Sequence, residues 1–336
     1  MRSRHYLFLV LLVLNTAGCG SFVARRMAQA PNTYPTWFAP EARVTLGFPP
    51  KFLTNFPAKN LEVGPPMARL RYRVVEPADY NLQSTSTNWF ARGQTQYEFA
   101  FHADVPAATN HWTGAPRGTV VLLHGYGVAQ FAMAPWALRL AEDGWRCVLV
   151  DLRGHGKSTG KRIYYGLQET HDLSQLLDAL KRDGQLAGPV AAMGESYGAA
   201  LSLRWAGLDP RVGKVVAIAP YAMLSNAVLN ISHDYVAWTP KALIRAGLKK
   251  LPKVLHTEAA ELDTVTVLGR HPVPALFIAG GQDKITSLAE VEQLRQLAAP
   301  GSLMITAPRA THEAVTYFFD AFAGPVSAWL AQGDGH

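Results

Sequence analysis

The chain has only two cysteines in 336 residues, Cys19 and Cys147. A disulfide-stapled fold and a multi-cysteine metal site are therefore excluded from the start. No His, Cys, Asp or Glu cluster has metal-ligand spacing, so neither metal nor cofactor is expected. Charged residues make up only 17%, below the usual quarter. No repeat of 20–50 residues occurs, which argues against a solenoid. No apolar run is long enough to cross a bilayer as a helix; the longest at the N-terminus, Tyr6–Leu14, has nine residues. The net charge is +7, but the positive residues are scattered and no nucleic-acid motif is present. Affinity for anionic envelope material is expected rather than nucleic-acid binding.

What is present begins with a targeting pattern. Met1–His5 is basic, the apolar run follows, and Thr16-Ala17-Gly18 precedes Cys19. That order fits a signal peptide over 1–18. It resembles a bacterial lipoprotein signal, which implies lipidation at Cys19, although Thr16 stands where leucine is usual. Export to the cell envelope follows as the expectation, with the outer membrane favoured if the source is Gram-negative. Secreted or periplasmic protein is the alternative. Residues 19–68 are rich in proline and aromatics and read as a tether that packs partly on the body. The catalytic body is expected over 69–336.

From Gly118 onward, wholly apolar strands alternate with amphipathic helices. Thr119–Leu123, Arg146–Val150, Val190–Met193, Lys214–Ala219, Ala275–Ala279 and Ser302–Thr306 read as strands. Helices are expected over 128–142, 167–181, 199–207 and 313–331, the last interrupted near Gly324-Pro325. Earlier strands are expected at Leu70–Val75 and Gln96–His102. This rhythm means an α/β fold with a mostly parallel central sheet flanked by helices. Residues 221–271 break it with helix-like sequence, which reads as a lid at the carboxyl edge of the sheet. Met223, Leu224, Val228, Tyr235 and Trp238 are candidates to line a substrate pocket there. Cys147, inside an apolar strand, reads as a small core hydrophobe.

Gly194-Glu195-Ser196-Tyr197-Gly198 lies between an apolar strand and a helix. That is the context of a nucleophile elbow, with Ser196 at the apex. A serine hydroxyl needs a base, and an acid to orient it. After Ala279 only His312 and the terminal His336 remain, and His312 follows the last strand. Asp283 runs off the strand end at Gly280-Gly281; Asp234 and Asp263 fall inside the insertion. An oxyanion site needs two backbone N–H groups. Tyr197, just after the nucleophile, and Tyr126 in the glycine loop His124–Gly127 are the candidates.

Taken together, His124-Gly125-Tyr126-Gly127, Asp151–Ser158, the elbow, Gly281-Gln282-Asp283 and His312 resemble the α/β-hydrolase superfamily. Within it they resemble the monoacylglycerol lipase and lysophospholipase-like serine hydrolases, grouped with serine aminopeptidase-like domains. The resemblance covers about 95–331. It implies the triad Ser196, Asp283, His312, and ester cleavage through an acyl-enzyme, with acyl-glycerols or lysophospholipids as candidate substrates. Peptidase, thioesterase and acyltransferase activity share such a triad, and a non-catalytic binding lipoprotein is the reading of another class. Expected partners are a small ester and, through the N-terminal anchor, a membrane. Asp151, Arg153, His155 and Ser158 are expected to be structural, His124 to hold the oxyanion loop, and Glu195 to support the elbow.

Overall fold

The computed structural model describes residues 20–33, 42–48, 52–91, 94–104, 112, 114–235 and 239–332. The expected signal segment, Cys19, Trp238 and His336 lie outside these residues. Among the described residues, the main body is an eight-stranded sheet. Its strands are β2 (Lys59–Val63), β3 (Ala68–Val75), β6 (Thr119–Leu123), β7 (Arg146–Asp151), β8 (Val190–Glu195), β9 (Val212–Ile218), β10 (Ala275–Gly280) and β11 (Leu303–Ala307). Their spatial order is β11-β10-β9-β8-β6-β7-β3-β2. From β7 to β11 all pairings are parallel. Only β2 and β3 enter antiparallel.

The continuous apolar runs follow from burial on both faces. Every residue of β6 and β10 is buried. Alternate side chains then serve opposite sides, as the period of two requires. Val121, Leu123, Val148, Val150, Ala192 and Phe277 join one core. Val120, Leu122, Cys147, Leu149, Met193 and Leu276 join the other. The first core is covered by α3 (Glu169–Arg182), α4 (Tyr197–Leu208) and α8 (Leu288–Leu297). The second is covered by α2 (Ala134–Glu142) and α10 (Phe319–Ala331), whose Trp136 and Phe322 are fully buried. Cys147 is fully buried and sits there as a small apolar side chain.

Two expectations are corrected, and one expected strand is placed. Residues 19–68 are more than a tether, because β2 forms the sheet's outer edge by pairing with β3. Their first stretch forms α1 (residues 20–27), and Ala24, Ala28 and Ala30 are fully buried. Expected strand Gln96–His102 does form, as β5 (Gln94–His102), but in a separate three-stranded sheet between β1 (Ala42–Gly47) and β4 (Gln83–Ala91). The polar, exposed β4 carries no apolar period and is held by its ladder to β5. Finally, the C-terminal helix runs through Pro325 and breaks earlier, after α9 (His312–Val315). Trp136 Nε1–H donates to Thr316 O at 2.8 Å, which pins the chain at that break. Tyr317, Phe318 and Phe319 then turn onto Phe99 and Phe101 of β5.

Residues 221–271 form a helical layer after β9: α5 (Leu224–Tyr235), α6 (Lys241–Leu255) and α7 (Thr264–Arg270). The sheet-side tie of this layer runs to the segment after β10. Asn226 Nδ2–H donates to Glu290 Oε1 at 2.8 Å, and Asn230 Nδ2–H to Ile285 O at 3.0 Å.

Candidate active site

The strand β8 delivers Ser196 through a turn that ordinary residues avoid. Ser196 has φ 48° and ψ −110°, in the left-handed half of backbone space, and is the N-cap of α4. Its N–H donates to Ile218 O at 2.7 Å, which ties the turn to β9. The flanking glycines have a steric reason. A Cβ on Gly194 would strike the Gly198 carbonyl, and one on Gly198 would strike the carbonyl oxygens of Leu123 and His124.

Gly198→Ala is therefore expected to destabilise the fold by about 1–3 kcal/mol, since the clash lies inside packed backbone. Thermal unfolding followed by circular dichroism would show Tm lower by roughly 1–4 °C, the unfolding entropy of so long a chain being large. An unchanged Tm would contradict this packing.

His312 and Asp283 come from the loops after β11 and β10. His312 Nε2 lies 2.9 Å from Ser196 Oγ, and His312 Nδ1 lies 2.8 Å from Asp283 Oδ2. The structure thus brings together the three residues expected from sequence. The Asp283 side chain is fully enclosed. Its Oδ1 accepts the N–H groups of Ile285 and Thr286, each at 2.8 Å. Its Oδ2 also accepts the Thr286 hydroxyl at 2.7 Å. Thr286 is a residue that the sequence reading missed. The only signal for it is a Thr three residues after Asp283, the spacing of a side chain–backbone turn.

The electrostatics follow from this contact. Burial works against a charged imidazole at His312, but the adjacent Asp283 carboxylate outweighs it, helped by Glu313 and Glu195, and lifts the ring to about 9. Burial would raise Asp283, yet His312 and the Thr286 donors hold its carboxyl below the usual range.

The glycine loop after β6 is held from both sides. His124 Nδ1 bonds Gly125 O at 2.8 Å, while Nε2 accepts the Leu152 N–H at 3.0 Å. Burial pushes this ring down to about 4, so it remains neutral at pH 7. Glu195 Oε1 accepts the Gly125 N–H at 3.1 Å, joining the loop to the elbow. Burial raises the Glu195 carboxyl. Tyr197 begins α4, so its N–H has no helical acceptor one turn back. The Tyr126 and Tyr197 rings meet edge to face at 6.3 Å.

The turn after β7 is structural in its contacts. Asp151 accepts the N–H groups of Gln130 and Lys157, each at 2.9 Å. Ser158 Oγ–H donates to Asp151 O at 2.6 Å and accepts the Arg71 N–H at 2.8 Å. Arg153 grips Asp172 through two 2.7 Å bonds, both residues being buried. His155 is buried and pushed down to about 3, first by burial and then by the neighbouring His124.

Of the expected pocket residues, three have described side chains. Leu224 is buried in the core with Ala227 and Leu262, so it supports α5 rather than facing a ligand. Its N–H donates to Asp263 Oδ1 at 2.8 Å. Val228 also packs against that core, partly buried. Met223 is 37% exposed at the start of the insertion. Tyr235 closes α5, but its side chain, like Trp238, is outside what is described.

Residues 114–267 match the family described as "Serine aminopeptidase, S33". The match includes Ser196 and stops before Asp283 and His312. The chain is similar to a monoacylglycerol lipase of Mycolicibacterium smegmatis, 28% identical over 52% of this chain and 60% of that protein. It is also similar to the uncharacterized protein YqkD of Bacillus subtilis, 26% identical over 52% of this chain and 58% of that one. This chain thus spans about three fifths of the length of these curated relatives. Among solved structures, the Pyrococcus furiosus esterase Pf2001 superposes with a TM-score of 0.60 at 20% identity, over 87% of this chain and 97% of that one. The chain has the α/β-hydrolase fold.

Proposed function

We propose that this protein is a serine hydrolase that cleaves carboxylic esters through an acyl-enzyme on Ser196, with acyl-glycerols or lysophospholipid-like esters as its substrate class. The observation that carries the reading is the 2.9 Å and 2.8 Å chain of contacts from Ser196 through His312 to Asp283. In this mechanism His312 Nε2 takes the hydroxyl proton as Ser196 Oγ bonds to the ester carbonyl carbon. Asp283 holds the Nδ1–H tautomer and stabilises the imidazolium. The oxyanion rests on the Tyr126 and Tyr197 amides, the second at a helix N-terminus that favours negative charge. The alcohol departs with the proton from His312. Water then gives a proton to His312 and attacks the acyl carbon; the bond to Ser196 Oγ breaks as His312 returns that proton to it, releasing the acid and restoring the Ser196 hydroxyl.

The substrate class rests on the resemblance to monoacylglycerol lipase. The family match raises peptidase chemistry as the second reading. A panel of p-nitrophenyl esters of increasing chain length, run beside lysophospholipids and aminoacyl amides, separates the two. Ester turnover that exceeds amide turnover and favours longer acyl chains is expected. A preference for aminoacyl amides would overturn the ester reading and leave the triad standing. On the sequence pattern alone, we also propose export, with a lipid anchor at Cys19 in the cell envelope.

A further inference from the structure

The outer face of the insertion carries a charge pattern that the proposed chemistry does not use. On α6, Lys241, Arg245, Lys249, Lys250 and Lys253 are all exposed. Their spacing puts Lys249 and Lys253 on the side opposite the buried Ile244, Gly247, Leu251 and Leu255, with Lys241, Arg245 and Lys250 on the flanks. No Asp or Glu occurs between Thr239 and Thr257. Charge runs on helices ordinarily alternate in sign or pair with neighbours. Here the helix offers its five cations no carboxylate of its own.

A second element extends this face. Helix α1 packs directly on α6: Gly247 lies so close to Val23 that a side chain there would collide, with Met27 beside it, and Gly20 is in tight contact with Ala246. Helix α1 adds exposed Arg25 and Arg26, and no carboxylate occurs from Gly20 to Thr33. It also presents Phe22, 65% exposed, beside those cations. The chain reaches this point directly from Cys19 and the apolar run Tyr6–Leu14, with Arg2 and Arg4 before it. Two helices distant in sequence but packed on each other thus bring seven exposed cations and an exposed aromatic side chain together with no acid among their own residues, and α1 follows the apolar N-terminal run directly in sequence.

We propose that the α1–α6 face is a docking surface for an anionic lipid bilayer. The cations would lie at the headgroups, and Phe22 at the boundary with the acyl chains, the distribution that interfacial helices favour. Docking through α6 sets the lid layer against the lipid surface. This inference needs only the surface and is independent of the proposed hydrolase chemistry.

Full-length protein is to be mixed with vesicles of pure phosphatidylcholine and with vesicles containing about 30% phosphatidylglycerol, an anionic lipid of the kind that attracts such clusters, and the bound fraction read by flotation. Pure phosphatidylcholine reports what the N-terminus, apolar segment or lipid anchor, contributes by itself. At about 50 mM salt the anionic vesicles are expected to raise the partition coefficient by more than about 100-fold, because each cation near such a surface adds about fivefold. Salt of about 0.5 M is expected to remove most of that increment by screening. Lys241→Gln, Arg245→Gln, Lys249→Gln and Lys253→Gln together are expected to lower anionic binding on the order of 100-fold while leaving binding to phosphatidylcholine unchanged. These side chains are exposed, and an unchanged circular dichroism spectrum checks the fold. A control that neutralises Lys157, Lys181, Arg182 and Lys284, removing equal charge elsewhere, is expected to retain the increment. The proposal is overturned if wild-type protein shows no preference for anionic vesicles, or if the control loses binding as fully as the α6 variant. Retention on a heparin column through α6, without vesicle binding, would also overturn it in favour of a soluble polyanion.

Discussion

Ser196→Ala is expected to lower kcat for a p-nitrophenyl ester by roughly 10⁶-fold, the scale seen when a triad nucleophile is removed. The physical reason is that no other group stands in its place. The hydroxyl sits at the apex of a turn with φ 48°, 2.9 Å from His312 Nε2. The methyl of alanine fits the same turn, so the fold should survive with Tm nearly unchanged. What is lost is the covalent route alone. Residual turnover would come from substrate positioned on the Tyr126 and Tyr197 amides and attacked by water. Near wild-type activity in this variant, measured on protein free of contaminating esterase, would remove Ser196 from the mechanism.

Asp283→Asn carries the second large effect. It keeps the size of the side chain but presents an amide where His312 Nδ1 now meets a carboxylate at 2.8 Å. The amide favours the wrong tautomer and no longer stabilises the imidazolium. By the general behaviour of Ser-His-Asp sites, kcat should fall about 10⁴-fold. The same contact fixes the sign of the pH dependence. Neutral His312 is the working base, and Asp283 favours its charged form. Activity is therefore lost as pH falls through the His312 titration and recovered as pH rises above it. For the wild type, kcat/KM should rise with pH through an apparent pKa lifted towards about 9. In Asp283→Asn the midpoint of this rise should move down, because burial then acts without the opposing carboxylate. A midpoint that stays in place would mean that Asp283 does not set the charge of His312.

Much of the site was legible because its residues occupy topological positions. A serine between an apolar strand and a helix, an acid just past β10, and a histidine just past β11 are each placed by the ends of strands whose uninterrupted apolar character identifies them. Thr286 was not legible as an anchor, since nothing in its local sequence distinguishes a hydroxyl that serves Asp283 from one that serves solvent. Leu224 failed for the opposite reason. An amphipathic helix reveals that it has an apolar face but not which layer covers that face, and here the core does. The strand β4 has no apolar alternation because most of its residues are exposed, and its partner β5 supplies the order. The Pro325 break was expected from local preference. The structure instead breaks the chain at Thr316, where the bond from buried Trp136 and the packing of Tyr317 and Phe318 prevail.

The central claim is that Ser196 is an activated nucleophile, and reaction with a fluorophosphonate probe tests it most directly. Folded protein treated with the probe, then digested and analysed by mass spectrometry, should carry one adduct on the peptide containing Ser196. Labelling should vanish in Ser196→Ala and after heat unfolding, because the hydroxyl is reactive only while His312 is beside it. Folded wild-type protein that takes up no probe at Ser196, or takes it up at another serine, would contradict the account.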